Sequence, residues 1–289
     1  MMAATDPKAT VPKVCVIGSP ISHSRSPLIH GYWLKKYDIS GSYDRVEVKR
    51  DELLEFLDRI RKGELAGCNV TIPLKELAFD AVDQTDSQTC RLKSVNTIFM
   101  ENGKLCGTST DGMGFMANLR QTVPGWQTGS KHAVILGAGG AARGLVDALI
   151  ADGAAGVSIV NRTLARAKVI AEDYPGKATT HAWDTINDLL ATTDLLVNST
   201  SLGMTGQPSL EISLDKLKPG AIVTDIVYTP LRTDLLCQAA ARGHPVVEGL
   251  GMLLHQAVPG FEKWFGTRPE VTDELHDLIV ADITGKQAG

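Results

Sequence analysis

From Val14 onward, short apolar runs alternate with amphipathic stretches, and this alternation constrains the fold more than any other feature of the chain. VCVIG is followed by the helix-like SPLIHGYWLKKY, then by YDRVEV, then by DELLEFLDRI, in which Leu53, Leu57 and Ile60 share one face. Unbroken apolar runs suit strands covered on both sides, and the helical period between them suits the elements that cover them. The expected unit is therefore βαβ, built around a mostly parallel sheet. The region after Gly67 adds a strand (CNVTI), a helix opened by Pro73, and two short strands, VNTIFM and KLCGT, joined by the Glu101-Asn102-Gly103 turn. A second series starts at His132: HAVILG, a helix from Ala141, VSIVN, a helix over Thr163 to Tyr174, DLLVN, AIVTDIV and a helix over Thr233 to Ala241. Four apolar strands interleaved with helices describe a doubly wound nucleotide-binding domain.

The 289 residues suffice for about two domains. The fold class expected is α/β in two domains, an N-terminal α/β substrate domain and a doubly wound dinucleotide-binding domain. Two further helices, LLHQAVPGFEKWF and VTDELHDLIVADI, find no strand left to pair with, so they extend the second domain or return to the first. Only the first ten and last five residues read as frayed tails.

Composition removes several functional classes. With 43% hydrophobic and 21% charged residues the chain is neither disordered nor fibrous. A net charge of −4 and a sequence pI near 6.0 give no general attraction for nucleic acid or an anionic membrane surface. No apolar run reaches the roughly 18 residues of a membrane span, and MMAATDPKAT has neither the basic start nor the apolar stretch of a leader. The five cysteines are scattered and never spaced C-x-x-C, and the seven histidines form no H-E-x-x-H pair. A cytoplasmic protein with reduced thiols, no metal site and a small-molecule substrate is expected; the oligomeric state, a homodimer included, is left open.

The turn after HAVIL reads GAGGAAR, with Gly137, Gly139 and Ala142 at the G-x-G-x-x-G/A positions. The first glycine permits the tight turn, the second lets backbone approach a pyrophosphate, and the small third residue allows close helix–strand packing. The helix that starts there supplies unpaired N–H groups to the phosphates. The next strand ends at Asn161-Arg162-Thr163, with Arg166 one turn on, where an NAD protein would carry an acidic residue for the ribose hydroxyl. A solvated basic helix start is the bland reading, but cations are disfavoured in a first helical turn. A 2′-phosphate held by guanidinium and hydroxyl groups explains them better, and NADP(H) is the expected cofactor.

The first domain offers polar residues in pocket-like patterns. In G-S-P-I-S-H-S-R-S-P, Pro27 suits the first helical position and Ser26 the cap before it. Ser24 is then surplus, and two hydroxyls near free helix N–H groups would receive a carboxylate as readily as they would do nothing. In G-C-N-V-T-I-P-L-K, Asn69 and Thr71 share one strand face while Val70 and Ile72 take the other, expected to face core. Lys75 stands at a helix start, where its charge calls for a carboxylate or a substrate, and Asn96 is another amide in a strand. Each could also be an exposed edge polar. Asp111 reads first as the N-cap of a helix from Gly112. Lys75 with Asp111 is nevertheless the evident pair for moving a proton on or off an alcohol or ketone, with burial and the carboxylate pulling the lysine in opposite directions.

Taken in order, G-x-P-x-x-H-S-x-S-P-x-x-H, G-x-N-V-T-x-P-x-K, V-N-T, T-D-G-x-G-F, G-A-G-G-A-A-R, N-R-T, N-x-T-S-x-G-M, D-x-x-Y-x-P and G-x-x-M-L-x-x-Q resemble the shikimate dehydrogenase family from Val14 to about Ile283. The resemblance implies a substrate-binding domain over residues 12–110 plus 251–285 and a Rossmann NADP-binding domain over 111–250. It implies that Ser24 and Ser26 hold a carboxylate, and that Asn69, Thr71, Asn96, Asp111 and Gln256 bind ring hydroxyls. Lys75 would be the acid/base with Asp111 as partner, Gly137, Ala138, Gly139, Gly140 and Ala141 would cradle the pyrophosphate, and Ile226, Tyr228, Gly249 and Met252 would lie near the nicotinamide or the ring. The implied reaction is reversible, NADP-dependent reduction of 3-dehydroshikimate to shikimate in the biosynthesis of aromatic amino acids. Two positions depart from the pattern: Ser109 stands where the family usually has asparagine, and Gly31 where asparagine is common.

Two alternatives differ in class. A quinate or broad quinate/shikimate dehydrogenase would more often resemble NAD enzymes, against which Arg162 argues. A non-catalytic ligand sensor could dispense with Lys75 or Asp111, and the chain has both.

Overall fold

A computed structural model describes residues 11–285, and the expected tails over 1–10 and 285–289 lie outside the described residues except for Gly285, which caps the last helix. The chain divides into two compact units, the first made of residues up to Thr108 with Ala257–Glu270, the second of Ser109–Gln256 with the residues from Val271 on.

The first unit runs β1 (Lys13–Gly18), α1 (Ser26–Lys36), β2 (Ser42–Glu47), α2 (Leu53–Arg61), β3 (Gly67–Val70), α3 (Lys75–Ala81), β4 (Gln84–Thr85), α4 (Ser87–Leu92), β5 (Thr97–Glu101) and β6 (Lys104–Thr108). Its sheet has the order β2-β1-β3-β5-β6-β4. β1 pairs in parallel with β2 and β3, while β5 runs antiparallel to both β3 and β6. Side chains alternate across β1: Cys15 and Ile17 join Leu53, Phe56, Leu57 and Ile60 of α2 on one face, and Val14 and Val16 join Tyr43 and Trp264 on the other. Two covered faces explain why VCVIG carries no polar residue. The β5–β6 hairpin turns at Asn102 and Gly103, both at positive φ (52° and 74°), the conformation for which Asn-Gly is the preferred pair.

The second unit holds α5 (Asp111–Thr122), β7 (His132–Leu136), α6 (Gly140–Ala151), β8 (Gly156–Val160), α7 (Leu164–Ala171), β9 (Ala178–His181), α8 (Ile186–Leu189), β10 (Leu195–Asn198), β11 (Ile222–Asp225), α9 (Asp234–Ala241) and β12 (Val246–Val247). The strands pair wholly in parallel in the order β12-β11-β10-β7-β8-β9. Read from the other edge this is the doubly wound order 3-2-1-4-5-6, whose reversal falls between β7 and β10. Alternate residues of β7 again serve two cores, Ala133 and Ile135 under α5 and α6, Val134 and Leu136 with Leu235 and Leu236 of α9.

The sheet is larger than the four strands expected. β9 (ATTH) is an edge strand with little apolar content, and β12 is two residues long, so neither carries a periodic signal. The compact units also differ from the division expected from sequence, 12–110 plus 251–285 against 111–250. The sixteen-residue helix α10 (Leu250–Phe265) passes from the second unit to the first after Gln256, and α11 (Asp273–Thr284) groups with the second unit. Residues Val271 to Asp273 and His276 there border a cavity with Asn118, Arg232 and Glu248 of the same unit. Within the first unit, Trp33 Nε1 donates to Glu270 O (2.9 Å) and Trp264 Nε1 to Ile98 O (2.9 Å), tying the returning chain to α1 and the sheet.

Candidate active site

In the first unit, the loop from Gly18 to Ser26 and the turn after β3 are built against each other. A Cβ on Gly18 would stand 2.6 Å from Thr71 Cγ2 and 2.9 Å from Ile72 O, and Ser19 N donates to Ile72 O (3.2 Å). Only glycine admits that approach. Ser24 and Ser26 come together, their hydroxyls 3.3 Å apart, with the Ser26 N–H donating to Ser24 Oγ (3.3 Å). The helix begins at Ser26 itself with Arg25 in the cap position, so Ser26 is not the cap and Ser24 supplies the hydroxyl acceptor that a cap would. Arg45 Nε donates to Ser24 O (2.8 Å), placing a guanidinium behind the pair.

Asn69 and Asn96 are both buried and share a hydrogen-bonded cluster in which Asn69 Nδ2 donates to Asn96 O (3.0 Å) and to Thr97 Oγ1 (3.1 Å). Val95 N donates to the carbonyl of Lys75 (3.0 Å), which brings the start of α3 beside Asn96. The apolar partners of the Asn69/Thr71 pattern divide differently from the expectation. Val70 is buried, but Ile72 is 73% exposed, because β3 ends at Val70 and the chain turns before Ile72 can continue the alternation.

In the second unit, Asp111 is the first residue of α5 and Thr110 occupies the cap position without a side-chain cap bond, so the reading of Asp111 as N-cap does not hold. Thr110 Oγ1 instead donates to Gln256 O (2.8 Å). One turn further, a Cβ on Gly114 would lie 2.7 Å from Gln256 Cβ and 2.8 Å from Met252 O, so α5 and α10 touch backbone to backbone and hold Asp111, Gln256 and Met252 in one neighbourhood. A Cβ on Gly112 would meet Gly144 O at 2.7 Å, which sets Asp111 against the helix that follows the glycine turn. Gly249 is held by the same logic, since a Cβ there would be 2.6 Å from Ile226 O and Val227 O. Ala138, Ile226 and Met252 pack on one apolar core, and Tyr228 is half-buried two residues beyond Ile226.

The glycine turn opens onto a cleft of about 710 Å³ lined by Gly137, Ala138, Gly139, Asn161, Arg162 and Arg166, with Trp183, Ser199 to Leu202, Pro208, Ser209 and Glu211 opposite. Gly137 has φ 108°, and a Cβ there would strike Ser199 Oγ and Thr200 Cγ2 at 2.9 Å. Gly139 and Gly140 differ: a Cβ on either would meet nothing within 4 Å. Neither needs to be glycine for the protein's own packing, and the open space over them is what a phosphate approaching the backbone requires. Among the described residues no carboxylate pairs with Arg162 or Arg166, both exposed, although Arg59, Arg61, Arg120, Arg143, Arg232, Arg242 and Arg268 all have one. Gly140, Ala141 and Thr163 stay outside the lining, and Asn161 Nδ2 donates to Thr163 O (2.8 Å), fixing the turn that presents the arginines. The donor set therefore fits a dinucleotide bearing an extra phosphate.

The motif readings assigned no role to Trp183, Ser199, Thr200, Ser201 or Glu211. The wall they form rests on a buried node: Asp225 accepts from Asn198 Nδ2 (3.0 Å), Val227 N (2.9 Å) and Thr233 Oγ1 (2.7 Å). Asn198 Oδ1 in turn accepts from Thr200 N (3.1 Å) and Thr200 Oγ1 (2.7 Å). Burial raises the Asp225 carboxyl above its usual value against the pull of these donors. The only signal for the node was N-x-T-S-x-G-M and D-x-x-Y-x-P occurring at the ends of adjacent strands.

A doubly wound unit with a phosphate cleft at its switch point, together in one chain with an α/β unit rich in buried amides and paired hydroxyls, defines a dinucleotide-dependent enzyme class acting on a small polar molecule. Family models match in three segments: the shikimate dehydrogenase substrate binding domain over residues 16–98, shikimate/quinate 5-dehydrogenase over 119–216, and the shikimate 5′-dehydrogenase C-terminal domain over 249–273. The shikimate dehydrogenase (NADP(+)) of Brucella canis is 48% identical over 274 residues, 94% of each chain, and that of Sinorhizobium fredii is 48% identical over 93% of this chain and 94% of its own. Among solved structures, shikimate 5-dehydrogenase of Listeria monocytogenes in complex with shikimate and NAD superposes with TM-score 0.88 at 30% identity, covering 96% and 99% of the two chains. The Thermus thermophilus enzyme in complex with NADP(H) and shikimate gives 0.83 at 31%, covering 94% and 100%. The chain belongs to the shikimate dehydrogenase family.

Proposed function

We propose that this chain catalyses the reversible, NADP-dependent reduction of 3-dehydroshikimate to shikimate, the reaction that serves aromatic amino acid biosynthesis. The observation that carries the reading is the cleft at the β7/β10 switch point, with its open glycine backbone and its two exposed arginines, which pair with no carboxylate among the described residues. The names of the relatives, NADP(+) enzymes at 48% identity, support the same cofactor.

Gly137 to Ala141 would receive the pyrophosphate at the start of α6, while Arg162, Arg166, Asn161 and Thr163 would hold the 2′-phosphate. When bound, the reduced nicotinamide supplies the hydride for the carbonyl carbon. Ser24 and Ser26 take the substrate carboxylate, and Arg45 behind them adds a favourable charge. Asn69, Thr71, Asn96, Asp111 and Gln256 answer the ring hydroxyls, and Tyr228, Ile226, Gly249 and Met252 border the reacting ring. Lys75 delivers the proton to the carbonyl oxygen and recovers it in the reverse direction, with Asp111 as the carboxylate of the acid/base set. A cytoplasmic setting belongs to the same proposal, on the scattered spacing of the five cysteines.

Absorbance of NADPH, followed with purified protein and shikimate or quinate against NADP or NAD, tests the reading. Turnover confined to shikimate with NADP is expected. Turnover on quinate, or preference for NAD, would move the chain to the quinate branch of its family, and no turnover in any arm would refute an enzymatic role.

A further inference from the structure

We infer that Tyr43 and Thr97 are positioning residues whose hydroxyls fix the direction of a buried hydrogen-bond chain through Asn69, so that Asn96 meets the substrate with its amino group and not its carbonyl. The inference deepens the reading of Asn96 as a ligand of the substrate ring and rests on it.

The direction follows from one obligate acceptor. A backbone carbonyl can only accept, so the Asn69 side-chain atom 3.0 Å from Asn96 O must be Nδ2. The other end of that amide, Oδ1, then faces the Tyr43 hydroxyl at 2.5 Å, and an amide oxygen cannot donate, so Tyr43 does. The second Asn69 N–H goes to Thr97 Oγ1 (3.1 Å). Thr97 Oγ1, which has one proton to give, donates it to Asn96 Oδ1 (3.0 Å). Asn96 Oδ1 is thereby committed to the protein, and Nδ2 is the end turned the opposite way.

Packing keeps this chain from reversing. The Tyr43 ring lies flat on His30, centroids 4.0 Å apart and planes 5° apart, and Trp264 tilts against both rings. Tyr43, Asn69, Asn96 and Thr97 are each at most 7% exposed, so no solvent replaces a lost partner. Both N–H groups of Asn69 are used internally, so it answers a ring hydroxyl through the second lone pair of Oδ1 alone while the amide orients its neighbour. An amino group at Asn96 selects a ring oxygen that accepts, and a flipped amide would present a carbonyl to the same atom.

Calorimetric titration of shikimate and, separately, of NADP into the full chain tests the chain. Tyr43→Phe and Thr97→Val should each weaken shikimate binding about 10-fold, and the double variant should fall well short of the about 100-fold product because both hydroxyls act through one amide. Thr97→Ser keeps the hydroxyl and should bind shikimate within about twofold of wild type. NADP affinity should be unchanged throughout. Thr97→Val binding shikimate normally, Thr97→Ser failing as Thr97→Val does, a double variant losing the full product, or parallel loss of NADP binding would each overturn the inference. A wild-type protein that takes NADP and not shikimate would refute the substrate reading itself, a result visible before any variant is made.

Discussion

His30 makes stability depend on pH in a calculable way. The ring is fully buried between Tyr43, Trp33, Phe261 and Trp264; among the described residues neither ring nitrogen makes a well-formed hydrogen bond, and Asn69 is the polar side chain that opposes the effect of burial. Burial pushes its pKa from 6.5 down to about 3, so the folded chain keeps it neutral where the unfolded chain protonates it. The unfolded state therefore binds more protons between the two values, and stability falls as pH drops below the unfolded pKa. Going from about pH 8 to about pH 5, linkage for that pair of values gives a loss of about 2 kcal/mol, a sizeable part of the about 5–15 kcal/mol that holds a domain together. Urea unfolding of wild type and of His30→Phe across this range, followed by tryptophan emission, measures the difference. Trp33 and Trp264 lie within 6 Å of the His30 ring, at 5.6 and 5.7 Å, and report on its surroundings. His255, also lowered by burial, and Asp225, raised by it, titrate in both proteins and cancel in the comparison. His30→Gln repeats the test without added volume. If the stability of wild type and of both variants fell in parallel with pH, the buried neutral histidine would not be the cause and the reasoning would fail.

Lys75→Ala should lower turnover by about two to four powers of ten while leaving shikimate affinity nearly intact; steady-state rates with an independent binding titration check it, and an unchanged rate removes Lys75 from proton transfer. Arg162→Ala should weaken 2′,5′-ADP binding by about 10- to 100-fold and leave 5′-AMP binding unmoved, since a charge-assisted phosphate contact is lost; equal effects on both ligands would place the phosphate elsewhere. Asp225→Ala strands three buried donors and should cost about 3 kcal/mol or more in thermal unfolding, whereas Asp225→Asn keeps one acceptor oxygen and should cost less than half of that. Equal costs would mean that the carboxylate's hydrogen bonds do not hold the Asn198 loop. NADP binding should quench tryptophan emission through Trp183, and Trp183→Phe should abolish that part of the signal.

The α/β class, the paired hydroxyls at Ser24 and Ser26, the glycine turn and the arginines after β8 were legible because their signals are local. A strand buried on both faces must be apolar throughout, a helix on it must be apolar at its own period, and a turn that passes a phosphate must dispense with Cβ. Where neighbours in space rather than in sequence set the outcome, local reading fell short. Asp111 looked like a cap because aspartate caps helices, yet Thr110 holds that position and spends its hydroxyl on a carbonyl 146 residues away. Ile72 looked like core because Val70 was, yet the strand stops between them.

The sequence alone determined the residue types available for chemistry and the order of the elements that carry them, since both follow from side-chain period and turn geometry along a few residues. The tertiary structure decided which of them meet. Tyr43 has no motif of its own, but 26 residues on, the fold sets Asn69 against its hydroxyl and uses both N–H groups of that amide inside the protein. Trp183 and Glu211 reach the cofactor cleft from loops distant in the chain. A hydrogen bond has a direction and a buried donor must find an acceptor, and these demands are resolved only when strands far apart in the chain lie side by side.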